Sequence, residues 1–160
     1  MTNLISAVRL IDLSALEVHQ LYKLRVDVFV HEQKTPYAEI DDADAEQDTW
    51  HIIAKKNNKI VGYARIYPHG SDTGFGRFVI HPDERGTGLG PEVFRAAMER
   101  ARKEWPERDV VLDAQETFQD FYTERGFKPD GELYDDTGVP HQPMRLTAAE
   151  LAYYLSTPEQ

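Results

Sequence analysis

Apolar and polar positions alternate along the chain in segments that predict strands and helices joined by short turns. Residues 4–13, LISAVRLIDL, are apolar with partial alternation and predict a first strand. Ser14 and Glu17 then stand at capping-box spacing, with Leu13 and Val18 placed as a hydrophobic staple, so a helix is expected to start at Ser14. Val18, Leu21, Leu24, Val28 and Phe29 give that helix one apolar face as far as about Val30. The next stretch, KTPYAEIDDADAEQD, is rich in acids and broken by Pro36, and reads as an irregular segment or short helix flanking a pocket.

From residue 50, WHIIAKKNNKIVGYARIYP predicts two strands joined by a turn at Asn57 and Asn58, residues that tolerate positive φ. FGRFVIH (75–81) is a further strand, followed by a glycine-rich loop and a helix whose Val93, Phe94, Ala97, Met98, Ala101 and Trp105 form one stripe. Pro91 is expected at the first position of that helix, where a missing N–H costs nothing. VVLDA (110–114) reads as a buried strand, and TFQDFYTERGF as a short helix closed by Gly126 at its C′ position. Residues 131–147 predict two strands about a turn at Asp136 to Gly138, and Thr147 with Glu150 caps a terminal helix. The order β-α-β-β-β-α-β-α-β-β-α implies an α+β, or loosely α/β, fold around a mostly antiparallel sheet with one parallel crossover.

Composition narrows this picture. At 160 residues the chain suits one domain spanning 1–160, and its 41% hydrophobic and 29% charged residues are those of an ordinary globular protein. No stretch has the apolar length of a membrane span, and Arg9 and Asp12 fall where a signal peptide would need an apolar core. Together with the absence of cysteine, this leads to a cytoplasmic expectation and excludes disulfides, thiolate metal sites and a cysteine nucleophile. The net charge of −10 argues against nucleic acid as a partner; focused in a cleft it would attract an amine, and spread over the surface it serves solubility alone.

The chemistry concentrates in HPDERGTGLGPEVF (81–94). A Walker loop would need a lysine that is missing, and a dinucleotide fingerprint would put its third glycine on Pro91 or Val93. What remains is Arg85-Gly86-Thr87-Gly88-Leu89-Gly90, an R-x-x-G-x-G pattern between a strand and a helix start. Glycines there admit a ligand to the backbone, the helix start offers unpaired N–H groups, and Arg85 adds a cation, a combination suited to a pyrophosphate. The competing reading is a plain connecting turn.

With its loop, the sequence resembles the GNAT N-acyltransferases, whose coenzyme A loop has the pattern [QR]-x-x-G-x-[GA] after the fourth strand. FYTERGF (121–127) is similar to the late helix in which that family keeps a tyrosine facing the cofactor sulfur. RVDVFVHEQKTPYAEIDDAD (25–44), AQETFQDFYTERGF and GVPHQPM (138–144) resemble the ElaA-like branch, so the likeness runs from about residue 21 to 146. It implies a three-layer α/β/α arrangement, its sheet splayed between the fourth and fifth strands, with acetyl-CoA as co-substrate in the opening. Carried over residue by residue, it implies cofactor binding by Phe78, Val79, Ile80, Arg85, Gly86, Thr87, Gly88, Leu89, Gly90 and Gln115, and a general-acid role for Tyr122. Phe78 to Ile80 would pair with the pantetheine arm, and the acceptor, a small or protein amine, would attack directly with no covalent enzyme intermediate.

The proton acceptor is less defined, because the fourth strand has Arg77, Phe78 and Val79 but no glutamate; Glu32, His51, Glu116 and His141 stay open. Glu32, Gln33, Tyr37, Asp41, His51 and His141 are expected to line the acceptor pocket. Ala114-Gln115-Glu116 stands where the family often has an asparagine, and His31 where an apolar residue is expected. Two other readings compete: a non-catalytic acyl-CoA sensor, and a metal protein built on His31, His51, His141 and the acids near Asp41, for which no ligand spacing is found. No metal or membrane partner is expected, and a homodimer is left open.

Overall fold

The computed structural model describes residues 4–35 and 38–158. One mixed sheet carries the fold, in the order β1-β2-β3-β4-β5-β8-β6, with β7 paired to β8. Its strands are β1 Leu4–Val8, β2 Trp50–Lys56, β3 Lys59–His69, β4 Asp72–Ile80, β5 Val110–Gln115, β6 Lys128–Pro129, β7 Tyr134–Asp136 and β8 Val139–Leu146. The helices are α1 Ala15–Arg25, α2 Leu89–Glu104, α3 Gln119–Thr123 and α4 Ala148–Ser156. Every pairing is antiparallel except β4 with β5.

Both expected capping boxes form, Ser14 with Glu17 at α1 and Thr147 with Glu150 at α4. The β2–β3 hairpin turns at Asn57 and Asn58, with φ of 54° and 65°. The first strand is shorter than its apolar run suggests. It stops at Val8, and a 3₁₀ turn over Leu10–Asp12 delivers the chain to α1. The two-residue β6 is an additional strand that no alternation advertised.

Successive residues of a strand point to opposite faces, so two cores form. Ile52 and Ala54 of β2 pack with Val93, Phe94, Ala97 and Met98 of α2 on one face. Ile53, Ile60 and Tyr63 pack with Leu21 and Leu24 of α1 on the other. The stripe read along α2 is its buried face, with Trp105 partly buried at its end. The result is the three-layer arrangement, with α1 and α2 on opposite sides of the sheet.

Two irregularities shape the middle. After Arg25 the helix widens into a π-helical stretch, Val26–Glu32, where Gln33 N–H donates to the Val28 carbonyl. In β4, Tyr63 pairs with Val79 and Arg65 with Gly76, which leaves an extra residue in β4. Arg77 takes up this bulge with φ of 54°. Bulges re-aim side chains, and π turns often mark functional positions.

Candidate functional site

Parallel β4 and β5 share only the register pairs Thr73–Val110 and Gly74–Val111. Beyond them the strands part, and a cleft of about 490 Å³ opens between them. Its walls include Phe75 to Ile80 of β4, Leu112 to Gln115 of β5, Phe121 and Tyr122 of α3, Val28 and Phe29 of the π-helical stretch, and Gln33 just after it. Arg85 and Gly90 stand at the glycine-loop end, and Glu39, Arg65 and His141 also line it.

The loop owes its shape to its glycines. Gly86 and Gly88 have φ of 78° and 88°, and a Cβ on either would meet nothing within 4 Å. Backbone conformation, rather than crowding, therefore requires glycine here. Gly88 is the N-cap of α2, which begins at Leu89. Pro91 is thus the third helical residue rather than the first; it still lies in the opening turn, where an N–H has no intrahelical partner. Leu89 is buried in the core, so only its backbone can serve a ligand, and the Thr87 hydroxyl donates to the Glu84 carbonyl.

Arg85 is engaged by Glu32, its Nη1 and Nη2 donating to the two carboxylate oxygens at 2.9 and 2.7 Å. Both side chains are nearly half exposed, and this pairing holds the Glu32 carboxyl below its usual range. Glu32 therefore reaches the glycine loop and does not line the cleft.

Tyr122 lies on the cleft wall, half-buried and edge-on to Phe75, Phe94 and Phe127. Burial pushes its hydroxyl up from the ordinary tyrosine value, so it stays protonated across the neutral range. Its helix closes as expected: Phe127 N–H donates to the Tyr122 carbonyl and Gly126 N–H to that of Thr123, with Gly126 at φ 101°. Gln33, Gln115 and His141 come together on one side of the cleft. Gln115 Nε2 lies 3.4 Å from Gln33 Oε1, and Gln115 is the register partner of His141.

Other expected pocket residues belong to a buried ionic network instead. Arg25 is fully buried and donates to Glu39 Oε2 at 2.7 Å, to Asp44 Oδ1 at 2.9 Å and to the Glu39 carbonyl. Arg65 holds Asp41 with two bonds, at 2.7 and 3.0 Å, and reaches Asp44 at 3.0 Å. Arg77, turned by the bulge, binds the carbonyls of Ala38 and Glu39 and lies 3.4 Å from Asp41. Asp41 is thereby committed to guanidinium groups, which hold its carboxyl below the usual range.

His51 has no exposed surface and sits outside the cleft. It bonds the Tyr63 hydroxyl through Nδ1 and the Asp44 carbonyl through Nε2, and burial pushes its pKa down. Tyr37 lies outside the described residues. His31 is exposed, and among the described residues no group of histidines and acids is arranged to hold a metal.

Glu39 is a charged cleft residue that the sequence did not single out. Its side chain is 4% exposed, and burial pushes its carboxyl up despite the opposing pull of Arg77 and Arg25. The signal for it was present in the PYAEID segment, where it was hidden among other acids.

The acetyltransferase (GNAT) domain model matches residues 11–148. The chain belongs to the GNAT family. ElaA of Escherichia coli is 37% identical over 133 residues, covering 81% of this chain and 87% of ElaA. Its crystal structure superposes with a TM-score of 0.84 at 33% identity, covering 90% of this chain and 99% of that one. The structure of an acyl-CoA N-acyltransferase from Pseudomonas aeruginosa gives a TM-score of 0.85, again at 33% identity and with the same coverage. The cleft between β4 and β5 is accordingly the parting of the GNAT sheet, and the domain match, over residues 11–148, takes in the segments that form both its ends.

Proposed function

We propose that this GNAT protein transfers an acetyl group from acetyl-CoA to a primary amine by direct attack. The observation that carries this reading is the wedge between β4 and β5, with a glycine loop at one end and the protonated Tyr122 on its wall. The N–H groups of residues 86–90 and Arg85 take the pyrophosphate, a task for which positive-φ glycines at a helix start are suited. The main chain of Phe78 to Ile80 pairs with the pantetheine arm and polarises the thioester carbonyl; a donor so used is typically worth about 2.7–4 kcal/mol.

The amine nitrogen then bonds to the carbonyl carbon, the carbon–sulfur bond breaks, and Tyr122 donates its proton to the departing sulfur. Gln33 and His141 face the acceptor side, next to Gln115 on the cofactor side. The P. aeruginosa neighbour, described as an acyl-CoA N-acyltransferase, supports the donor class.

A free-thiol release assay with acetyl-CoA and a panel of amines tests the reading. Amine-dependent release is the expected result; tight CoA binding with no release from any amine supports a non-catalytic acyl-CoA sensor instead.

A further inference from the structure

Glu39 brings an incomplete carboxylate to the acceptor side of the cleft. Its Oε2 accepts from Arg25 Nε and lies 3.2 Å from Arg77 Nε, while Oε1 is buried without a hydrogen-bond partner among the described residues. A buried acceptor left unsatisfied costs about 1–3 kcal/mol, so a retained one needs an explanation. The surrounding guanidinium and carboxylate groups are engaged with one another, although Arg65 Nε and Asp44 Oδ2 are likewise buried without a partner among the described residues. Arg25 comes from α1 and bonds Asp44, Arg77 comes from β4 and approaches Asp41, and Arg65 of β3 holds both aspartates. Asp113 and His141 face the same cleft from β5 and β8. Glu39 also lines the cleft, so a donor bound there is the candidate partner for this oxygen.

We infer that Glu39 Oε1 receives the ammonium group of the acceptor and takes its proton, which makes unhindered primary amines the acceptor class. This rests on the acyl-transfer reading above. An ammonium brings an N–H to the orphan oxygen, and Arg25 holds Oε2, which leaves Oε1 as the carboxylate oxygen without a partner. Burial raises the carboxyl from its usual range, in the direction that improves a base.

The protons balance. The first of the ammonium's three passes to Glu39 and on to solvent. After the amine attacks, the second replaces the one Tyr122 gives to sulfur, and the third remains on the amide nitrogen.

The test compares wild type, Glu39→Gln and Glu39→Asp by acetyl-CoA titration, amine-dependent thiol release across pH, and binding of phenethylamine against phenethyl alcohol. Glu39→Gln is expected to keep acetyl-CoA affinity and to lose about 100-fold in kcat/KM for the amine. That deficit should shrink as pH approaches the pKa of the amine, because solvent then supplies the free base. Wild-type turnover in Glu39→Gln, or a deficit equal at every pH, overturns the inference. If Glu39→Gln does not fold, Glu39→Asp, which keeps a charge opposite Arg25, decides: a displaced acid limb of the pH profile supports the role and an unchanged limb refutes it. If wild type releases no thiol with any amine, the acyl-transfer reading fails. The ammonium seat is then judged by whether wild type prefers phenethylamine to the alcohol and Glu39→Gln does not.

Discussion

At the glycine-loop end of the cleft the working parts are backbone groups held in place by residues with no side chain to spare, whereas at the Glu39 end they are charged side chains locked to one another. Gly86 and Gly88 act through φ alone, and a Cβ on either meets no neighbour. Glu39, Asp41 and Asp44 act through their charges, each against at least one of Arg25, Arg65 and Arg77. One end is sensitive to conformation and tolerant of surface chemistry; the other depends on charge, and removing a single partner strands another in the interior.

The largest effect should come from breaking the ionic end. Asp44→Ala leaves Arg25 and Arg65 short of a shared carboxylate, and loss of one member of a buried pair costs about 3–5 kcal/mol. A chemical denaturation midpoint reads this; a midpoint unchanged from wild type would show that the network adds nothing. Next is Tyr122→Phe, expected to lower kcat about 100-fold while acetyl-CoA affinity holds, since only the donated proton is lost. Equal losses in binding and turnover would make Tyr122 a packing residue.

At the conformational end, Gly88→Val should cost about 1–2 kcal/mol for its left-handed backbone and weaken acetyl-CoA binding, although the new side chain meets open space. Unchanged affinity would reduce the loop to a connector. The smallest effect belongs to Glu32→Gln, which releases an exposed Arg85: no change in thermal midpoint is expected, with acetyl-CoA affinity equal or higher at low salt.

Alkaline titration bears on both ends, because Tyr63 beside the network and Tyr122 in the cleft have raised pKa values, burial being the leading cause. Below the unfolded tyrosine value near 10 their contribution to stability is complete, and it is lost as pH rises beyond that. Denaturation followed by phenolate absorbance should show both tyrosines ionising only as the chain unfolds; ionisation in the folded state would contradict their burial.

The same contrast explains which features the sequence displayed. Gly86, Gly88, Asn57 and Asn58 announce positive φ by residue type, and Ser14 with Glu17 announces a cap by spacing, so loop, hairpin and helix start could be read locally. Arg77 adopts the same backbone region without being a glycine or asparagine, so the bulge left no mark. Arg25 reads as one more polar position on α1, because its partners Glu39 and Asp44 lie 14 and 19 residues away and only the fold unites them. Asp41 is expected in the pocket from its ElaA-like segment and His51 as a candidate base, yet Arg65 and Tyr63 lie closer to hand. Periodicity reports which face is apolar; it is silent on which buried charge answers which.

The early parting of β4 and β5 also has an energetic side. A guest entering between two paired strands would first have to unzip them, exchanging ladder bonds for its own. Past Gly74 and Val111 there is no ladder to unzip. Each main-chain bond that a guest forms along Phe78 to Ile80 therefore displaces water rather than protein, and the fold has met the cost of separation before the guest arrives.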